Sequence, residues 1–562
     1  MKSAAATCSS LIAPLWIDTS TFKFDLIAGI TVSLVAIPQS LAYARLAGVP
    51  AYYGLYAALI PTIIGAVFGS SRQLSTGPVA MTSLLSAASV APLAAVDTQL
   101  FYSCVIMLAL LSGLFQILMG VFRVGAILNF LSHPVLMGFI NAAALIIGLA
   151  QLPTLLGIKA PHSSHFLLDI LHVLEHVNTM HALSFGFGVT AILMIVAFKK
   201  YTPKLPGVLI TVAVLTGVSY AIGFVDIGGK VVGAIPKGLP SFSIPTLDWH
   251  TAMTLVPAGF IIALVSFMEA MSSSKVISNN TRVPWDENKE LIGQGLAKVA
   301  AAFCHSMPVS GSFSRSALNL ASNAKTGLSS VISAACVLIT LLFLTPLLYH
   351  LPKPVLAAII MVAVVGLINF SVMLRAWRVS RDDGIASVAT FVATLAFSPN
   401  IQNGILIGIG LSLGLMLYRM MRPRIAKLGL HQDGSLGDAQ RHNLPPLHAR
   451  LGAIRFDGAL RFINVSTFEK AILQMEQDNP GINTILVSCG GINDIDASGV
   501  DMLSKLIARF KSNNVSLCFS GFKEHLQDVI ENTGLSELIG KDNLFPSDHS
   551  AARELQNRLE AV

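Results

Sequence analysis

From residue 25 to residue 421 one apolar run follows another, many of them close to the ~20 residues that an α-helix needs to cross a bilayer. Hydrocarbon offers no hydrogen bonds, so every backbone N–H and C=O in such runs must find a partner within the protein. The chain is thereby restricted to an all-α polytopic membrane domain over this stretch. Apolar periodicity and its breaks predict about fourteen segments, two of them short. They lie near 26–47, 52–69, 77–92, 100–121, 129–151, 183–198, 206–224, 252–272, 289–304, 313–322, 328–349, 354–371, 384–397 and 402–421. Only 12% of the residues are charged, about half the share in soluble domains, and the deficit falls in this region. Residues 440–562 have ordinary soluble composition. The expected organisation is a cytoplasmic N-terminal segment (1–24), a membrane domain (25–424), a linker (425–447) and a small cytoplasmic α/β domain (448–562).

Loop charge sets the expected orientation. With the N-terminus cytoplasmic, alternate loops hold Arg72; Arg123; Lys199, Lys200 and Lys204; Lys275, Arg282 and Lys289; Lys325; Arg375, Arg378 and Arg381; and Arg419, Arg422, Arg424 and Lys427. The opposite loops hold only Arg45, Lys159, Lys230, Lys237 and Lys353. This positive-inside bias places both termini in the cytoplasm, and it accounts for a net charge of +7 without nucleic acid as a partner. Residues 1–24 lack the apolar core of a signal peptide. His162, His165, His172, His176 and His181 crowd the outer loops and read as surface histidines, with a metal site as the less favoured alternative. The six cysteines show neither metal-ligand spacing nor a disulfide framework, so no metal and no cofactor is expected.

The even count splits into two sevens, near 25–224 and 252–421. In each half the third segment is short and follows a run of small residues: Ser75-Thr-Gly-Pro-Val-Ala-Met-Thr-Ser83 and Pro308-Val-Ser-Gly-Ser-Phe-Ser-Arg-Ser-Ala-Leu-Asn319. An odd number of spans flips topology, so the repeat is inverted, and paired interrupted segments point to a substrate site near the bilayer midplane. Arg315 lies in the second. A cation at membrane depth costs at least about 2.5–3.5 kcal/mol on insertion scales, which calls for a compensating role. Beside helix N-termini and the hydroxyl of Ser314, that role is anion coordination; the alternative is a structural ion pair with Glu269. Glu269 is an isolated carboxylate among apolar residues. Desolvation disfavours its charged form, which suits a proton carrier; with oxygens from Ser266 and Ser272 it could instead hold Na⁺. Pro38 interrupts the first span, and Gln39 and Tyr43, one turn apart, can face one pocket. Gly29, Gly48, Gly54, Gly65 and Gly69 read as close-packing positions. In the soluble domain 449–456, 484–488 and 515–520 read as strands, and 500–512 and 523–533 as helices. No nucleophile with its base and no phosphate-binding loop is present, so the protein is not expected to be an enzyme.

Four stretches together resemble the SulP family of anion transporters (sulfate permease-like). Asp25-Leu-Ile-Ala-Gly-Ile-Thr-Val-Ser-Leu-Val-Ala-Ile-Pro-Gln-Ser-Leu-Ala-Tyr-Ala44 is similar to its first span, and Tyr53-Gly-Leu-Tyr56 through Gly69-Ser-Ser-Arg72 to its signature. Asn288-Lys-Glu-Leu-Ile-Gly-Gln-Gly295 leads into the segment of Arg315, and Asp496-Ala-Ser-Gly499 resembles the loop of a sulfate-transporter and anti-sigma-antagonist (STAS) domain. The resemblance implies 7+7 inverted repeats in which a core bundle moves against a gate bundle, commonly in a homodimer. It places the anion near Pro78, Val79, Ser314 and Arg315, with Gln39 and Tyr43, and matches Glu269 to the acid of proton-coupled members. Ser498 matches the serine phosphorylated in stand-alone STAS relatives. Ala497 replaces the more usual hydroxyl residue beside it, and helix capping is the expected role of Ser498. A cytoplasmic protein partner for the STAS domain is also implied. The expectation is a sulfate–proton symporter of a cell (inner) membrane. The alternatives are a bicarbonate or dicarboxylate transporter coupled to H⁺ or Na⁺ and, further off, an exchanger or channel.

Overall fold

A computed structural model describes residues 19–94, 97–125, 132–158, 166–202, 205–236, 238–245, 248–398 and 401–560. Cys8, Lys159, His162, His165, Lys204 and Lys237 lie outside the described residues. The chain divides into two compact units, Met1–Ser412 and Leu413–Val562.

Among the described residues nine helices are long and apolar enough to cross a membrane. In the first half they include α1 (Thr19–Leu46), the broken pair α2 (Ala51–Ala57) and α3 (Ile60–Phe68), and, after the two-residue strand β1 (Thr76–Gly77) and the shorter α4 (Ala80–Ala94), α5 (Thr98–Val121), α6 (His133–Ala150) and α7 (Ala182–Tyr201). The half ends in the shorter α8 (Gly207–Ala221). The second half repeats the layout: α9 (Trp249–Thr281), α10 (Glu287–Phe303), β2 (Ser310–Gly311) with α11 (Phe313–Ala321), α12 (Leu328–Ile339), α13 (Lys353–Val365), α14 (Phe370–Val379), α15 (Arg381–Ala396) and α16 (Gln402–Met421). Five shorter helices, α4, α8, α10, α11 and α15, complete about fourteen segments in two sevens. Large apolar side chains such as Leu193, Val218, Phe343 and Val392 stand exposed on the outer faces, as helices solvated by lipid require.

The halves interlock. α1–α5 pack with α9–α12 as a core bundle, and α6–α8 pack with α13–α16 as a gate bundle. Small residues allow this. A Cβ on Gly113 of α5 would stand 2.7 Å from the carbonyl oxygen of Gly295 on α10, and the converse distance is also 2.7 Å, so the two backbones touch there. The glycines at 29, 54, 65 and 69 likewise abut neighbouring atoms, as close-packing positions do. Gly48 faces the Phe101 ring and in addition has φ +79°, a left-handed conformation that favours glycine.

Buried carboxylates fasten the loops between segments. Asp25, fully buried in α1, accepts the N–H groups of Lys325 (2.7 Å) and Thr326 (3.1 Å) and the Thr326 hydroxyl (2.7 Å). Glu290 of α10 accepts the N–H groups of Ser70 (2.7 Å) and Ser71 (2.9 Å) and the Gln294 amide (2.9 Å). The Asp25 and Gly69-Ser-Ser-Arg72 motifs are thus joints of the scaffold.

The second unit is a six-stranded sheet of order β4-β3-β5-β6-β7-β8, with β3 (Arg424–Leu430), β4 (Leu436–Asp438), β5 (Leu451–Asp457), β6 (Thr484–Ser488), β7 (Ser516–Ser520) and β8 (Leu544–Phe545). β5 to β8 are parallel, and β3 runs antiparallel to β4 and β5. Ile485 and Val487 of β6 point to one core with α17 (Val465–Asp478), α18 (Ala497–Ser512) and α19 (Glu524–Asn532). Leu486 points to the other core, with α20 (Asp548–Glu560). Two expectations are corrected. The stretch 425–447 is no linker: Ala426 and Leu428 are buried and β3 and β4 belong to the sheet, a strand pair too short and too charged to stand out in sequence. The cap of α18 is Asp496, which accepts the Gly499 N–H at 2.9 Å, because its side chain sits one residue before the first helical turn. Ser498 is exposed inside that turn.

Leucine at position 295 should split the α5–α10 seam, at a cost of about 1–3 kcal/mol or more from overpacking. The expected outcome for Gly295→Leu is a lower melting temperature in detergent and an aggregated gel-filtration profile. Gly217→Ala, whose Cβ would meet nothing within 4 Å, should melt like the parent protein.

Candidate functional site

The two interrupted segments meet. β1 and β2 pair antiparallel, Thr76 opposite Gly311 and Gly77 opposite Ser310, and Ser312 donates its N–H to Ser75 O at 2.8 Å. Each strand leads into a half-helix, α4 or α11, so two helix N-termini approach one another from opposite directions. Side chains complete the backbone pairing. The Thr62 hydroxyl donates to Thr76 O (2.8 Å), the Ser310 hydroxyl to Ser266 O (2.7 Å), and Ser75 donates its N–H to the Ser316 hydroxyl (2.9 Å).

Arg315 is almost completely buried, at 2% exposure. Its Nη1 donates to Pro78 O at 2.8 Å and its Nε to Ser75 Oγ at 3.4 Å, while Nη2 has no partner among the described residues. A Cβ on Gly77 would come within 3.0 Å of that Nη2, so glycine there makes room for the guanidinium.

A cavity of about 560 Å³ opens beside this crossing. Gln39 and Tyr43 of α1, Val79 at the start of α4, Ser312 and Ser314 at the start of α11, and Glu269 of α9 line it. Val362 and Ala363 of α13 close it from the gate bundle. Five of the residues expected from sequence therefore share one wall: Gln39, Tyr43, Val79, Ser314 and Glu269. Pro78 and Arg315 are not on the wall; they sit behind it, at the strand crossing. Among the described residues two polar atoms of the lining are buried without a partner, Gln39 Oε1 and Glu269 Oε2. Among the described residues no ion pair joins Glu269 to Arg315, although each charge acts on the other.

Lys298 was missed. It lies in α10 and is fully buried; its ammonium donates to Gln116 Oε1 at 2.8 Å, and its charge acts on Glu269. Gln116 in turn donates to Ala263 O (2.8 Å) and Ser266 Oγ (3.0 Å) of the helix that carries Glu269. The signal was available: a lone lysine in the apolar run Leu291–Phe303 obeys the same rule as Arg315. Two cations thus flank one carboxylate within the core bundle. Ser266 is occupied by these hydrogen bonds, and Ser272 is exposed and off the cavity wall. Among the described residues no cluster of three or more His, Cys, Asp or Glu side chains could hold a metal ion.

Comparison with known proteins agrees with this architecture. The Sulfate permease family profile matches residues 22–390, and the STAS domain profile matches residues 446–551. The chain is 34% identical to Sulfate transporter 4.1, chloroplastic, of Arabidopsis thaliana over 96% of its own length and 81% of that protein's. It is 29% identical to a probable sulfate transporter of Mycobacterium tuberculosis, over 95% of both chains. Among solved structures it is similar to the murine Solute Carrier 26 family member A9 anion transporter in the inward-facing state, with a TM-score of 0.90 at 21% identity, covering 98% of this chain and 95% of that one. The transmembrane domain of a cyanobacterial bicarbonate transporter, BicA, gives 0.60 at 23% identity, covering 71% of this chain and 99% of that one. With the paired half-helices in place and the family profile covering most of the membrane unit, the chain belongs to the sulfate permease family of multi-pass membrane transporters, which are not enzymes, and it carries a C-terminal STAS domain.

Proposed function

We propose that the protein is a secondary active anion transporter, a sulfate–proton symporter that works by alternating access in a cell membrane, with both termini cytoplasmic. The observation that carries this reading is the convergence, on one cavity, of two half-helix N-termini backed by the buried Arg315 and of the unpartnered Glu269 carboxylate. The N-terminal partial charges and the guanidinium favour an anion at the cavity wall, where Ser314 and Gln39 can supply donors. Arg315 acts mainly through its field, with Nη2 in reserve, since Nη1 and Nε are engaged with β1.

Glu269 supplies the coupling. An ionised carboxylate beside the anion repels it; a proton on Glu269 removes that repulsion, so anion and proton load together. The engagement of Ser266 and the exposure of Ser272 leave few oxygens for Na⁺, which favours H⁺. Sulfate is favoured because the relatives named above that span the whole chain are called sulfate transporters. Lys199, a cation of the loops expected inside, stands on the cavity wall, which supports an inward-open arrangement. The gate bundle would rock against the core to expose the same site outside. A homodimer, and a cytoplasmic partner on the STAS domain near the exposed Ser498, complete the proposal.

Two measurements in proteoliposomes test it. Arg315→Ala should abolish uptake of radiolabelled sulfate while the protein still elutes as a monodisperse species; uptake at parental rate would remove the anion site from this crossing. Glu269→Gln should keep sulfate counterflow yet lose accumulation driven by an inward proton gradient. Accumulation that still follows external pH in this variant would move the coupling group elsewhere. Competition by bicarbonate and succinate decides between sulfate and the planar anions that the same wall could hold.

A further inference from the structure

A second cavity, of about 970 Å³, lies in the membrane unit, and nothing above uses it. Three cations from distant parts of the chain line it: Arg45 at the end of α1, Lys230 in the loop after α8, and Lys353 at the start of α13. No aspartate or glutamate is among its lining residues. Hydrogen bonds tie the segments that carry these cations to one another. Lys353 donates its N–H to Lys230 O at 2.9 Å, Val232 donates to Leu351 O at 2.9 Å, and Arg45 Nη2 reaches Val232 O at 3.4 Å. Arg45 and Lys230 both act on Lys353 as like charges, and among the described residues no carboxylate forms an ion pair with any of the three. Arg45 and Lys230 are exposed and Lys353 is partly buried, so the three like charges face one solvent-filled concavity and draw anions into it. The His181 ring is engaged with Ser184 Oγ and Ile227 O, and the His176 ring with His172 O.

The two cavities share walls. Both are lined by α1, α4 and α13: Tyr43 against Arg45, Val79 and Ala80 against Leu84, and Ile359 against Ile360. Four residues of helix span roughly 6 Å, so about one turn separates the two. Resting on the anion-transport reading, we propose that the second cavity is a vestibule that holds an oxyanion, preferentially a dianion, on Arg45, Lys230 and Lys353 at the face opposite Lys199, before the gate admits it to the site at Glu269. An anionic lipid headgroup offers the same chemistry, so the test separates the two sources.

The test measures initial rates of sulfate uptake in right-side-out and inverted vesicles of pure phosphatidylcholine, for the parent and for R45Q/K353Q, with K230E as a second variant outside the helices. For either variant KM from the vestibule face should rise about tenfold, with kcat and the KM from the opposite face unchanged. The difference should shrink at high ionic strength, where the cations of the parent are screened. Addition of phosphatidylglycerol to the vesicles, whose surface charge depletes sulfate, should change the KM of the parent and of R45Q/K353Q by the same factor. An unchanged KM in both variants, or an equal change from both faces, would overturn the vestibule while sulfate flux through the parent upholds the transport reading. A parental KM that rises with phosphatidylglycerol by a larger factor than that of R45Q/K353Q would assign the cavity to lipid. A parent that carries neither sulfate nor bicarbonate from either face would overturn both.

Discussion

Two residues of strand pairing near the centre of a membrane domain hold this structure together. Unwound backbone is costly in hydrocarbon, because each free N–H or C=O lacks a solvent partner. Here β1 and β2 pair with each other, and Thr62, Ser310, Ser316 and Arg315 take up most of what remains. The pairing also couples the halves. Thr76 and Gly311 are far apart in the chain, yet their register fixes where α4 and α11 begin, and so where two helix N-termini point. The site, the interlocked core bundle and the cavity wall all follow from that register.

The buried charges show how function constrains stability. Arg315, Lys298 and Glu269 lie in one bundle, and the nearest hydrogen-bond partners of the two cations are neutral oxygens rather than carboxylates. A direct ion pair between Glu269 and Arg315 would satisfy both groups and occupy the charge that an anion needs. Holding Arg315 on Pro78 O and Lys298 on Gln116 Oε1 keeps the positive field while leaving Glu269 Oε2 without a partner. Asp25 and Glu290 follow the opposite rule. Their carboxylates are used up on backbone N–H groups, and they serve as fasteners.

Much of this was legible in the residues. The apolar runs set the spans, and small-residue breaks in the third segment of each seven marked the half-helices. Gln39, Tyr43, Ser314 and Glu269 could be named because an intramembrane polar residue needs a reason, and Val79 only through the family resemblance. Lys298 escaped although the same rule covers it. Nor could hydropathy show that Arg315 faces the strand crossing instead of the cavity: the direction of a side chain on α11 is set by the packing of β1 against it. In the soluble domain, alternation revealed β5, β6 and β7, whereas β3 and β4 are stabilised by a sheet edge that forms only when β5 is present. The cap at Asp496 rather than Ser498 turns on a two-residue difference in helix start, below the resolution of any periodicity argument.

The sequence by itself determined that this chain is a polytopic helical membrane protein with two similar layouts in series, an oriented set of loop charges and a small α/β domain after it. These properties depend on what each segment faces, and a segment's composition and period record that directly. Only the tertiary structure decided which segments share a cavity, which charges are paired, and that Arg45, Lys230 and Lys353 line one cavity. Those outcomes rest on contacts between residues up to some three hundred positions apart, made by two halves that interlock, and no local pattern in the chain records which distant backbone will lie close enough to touch.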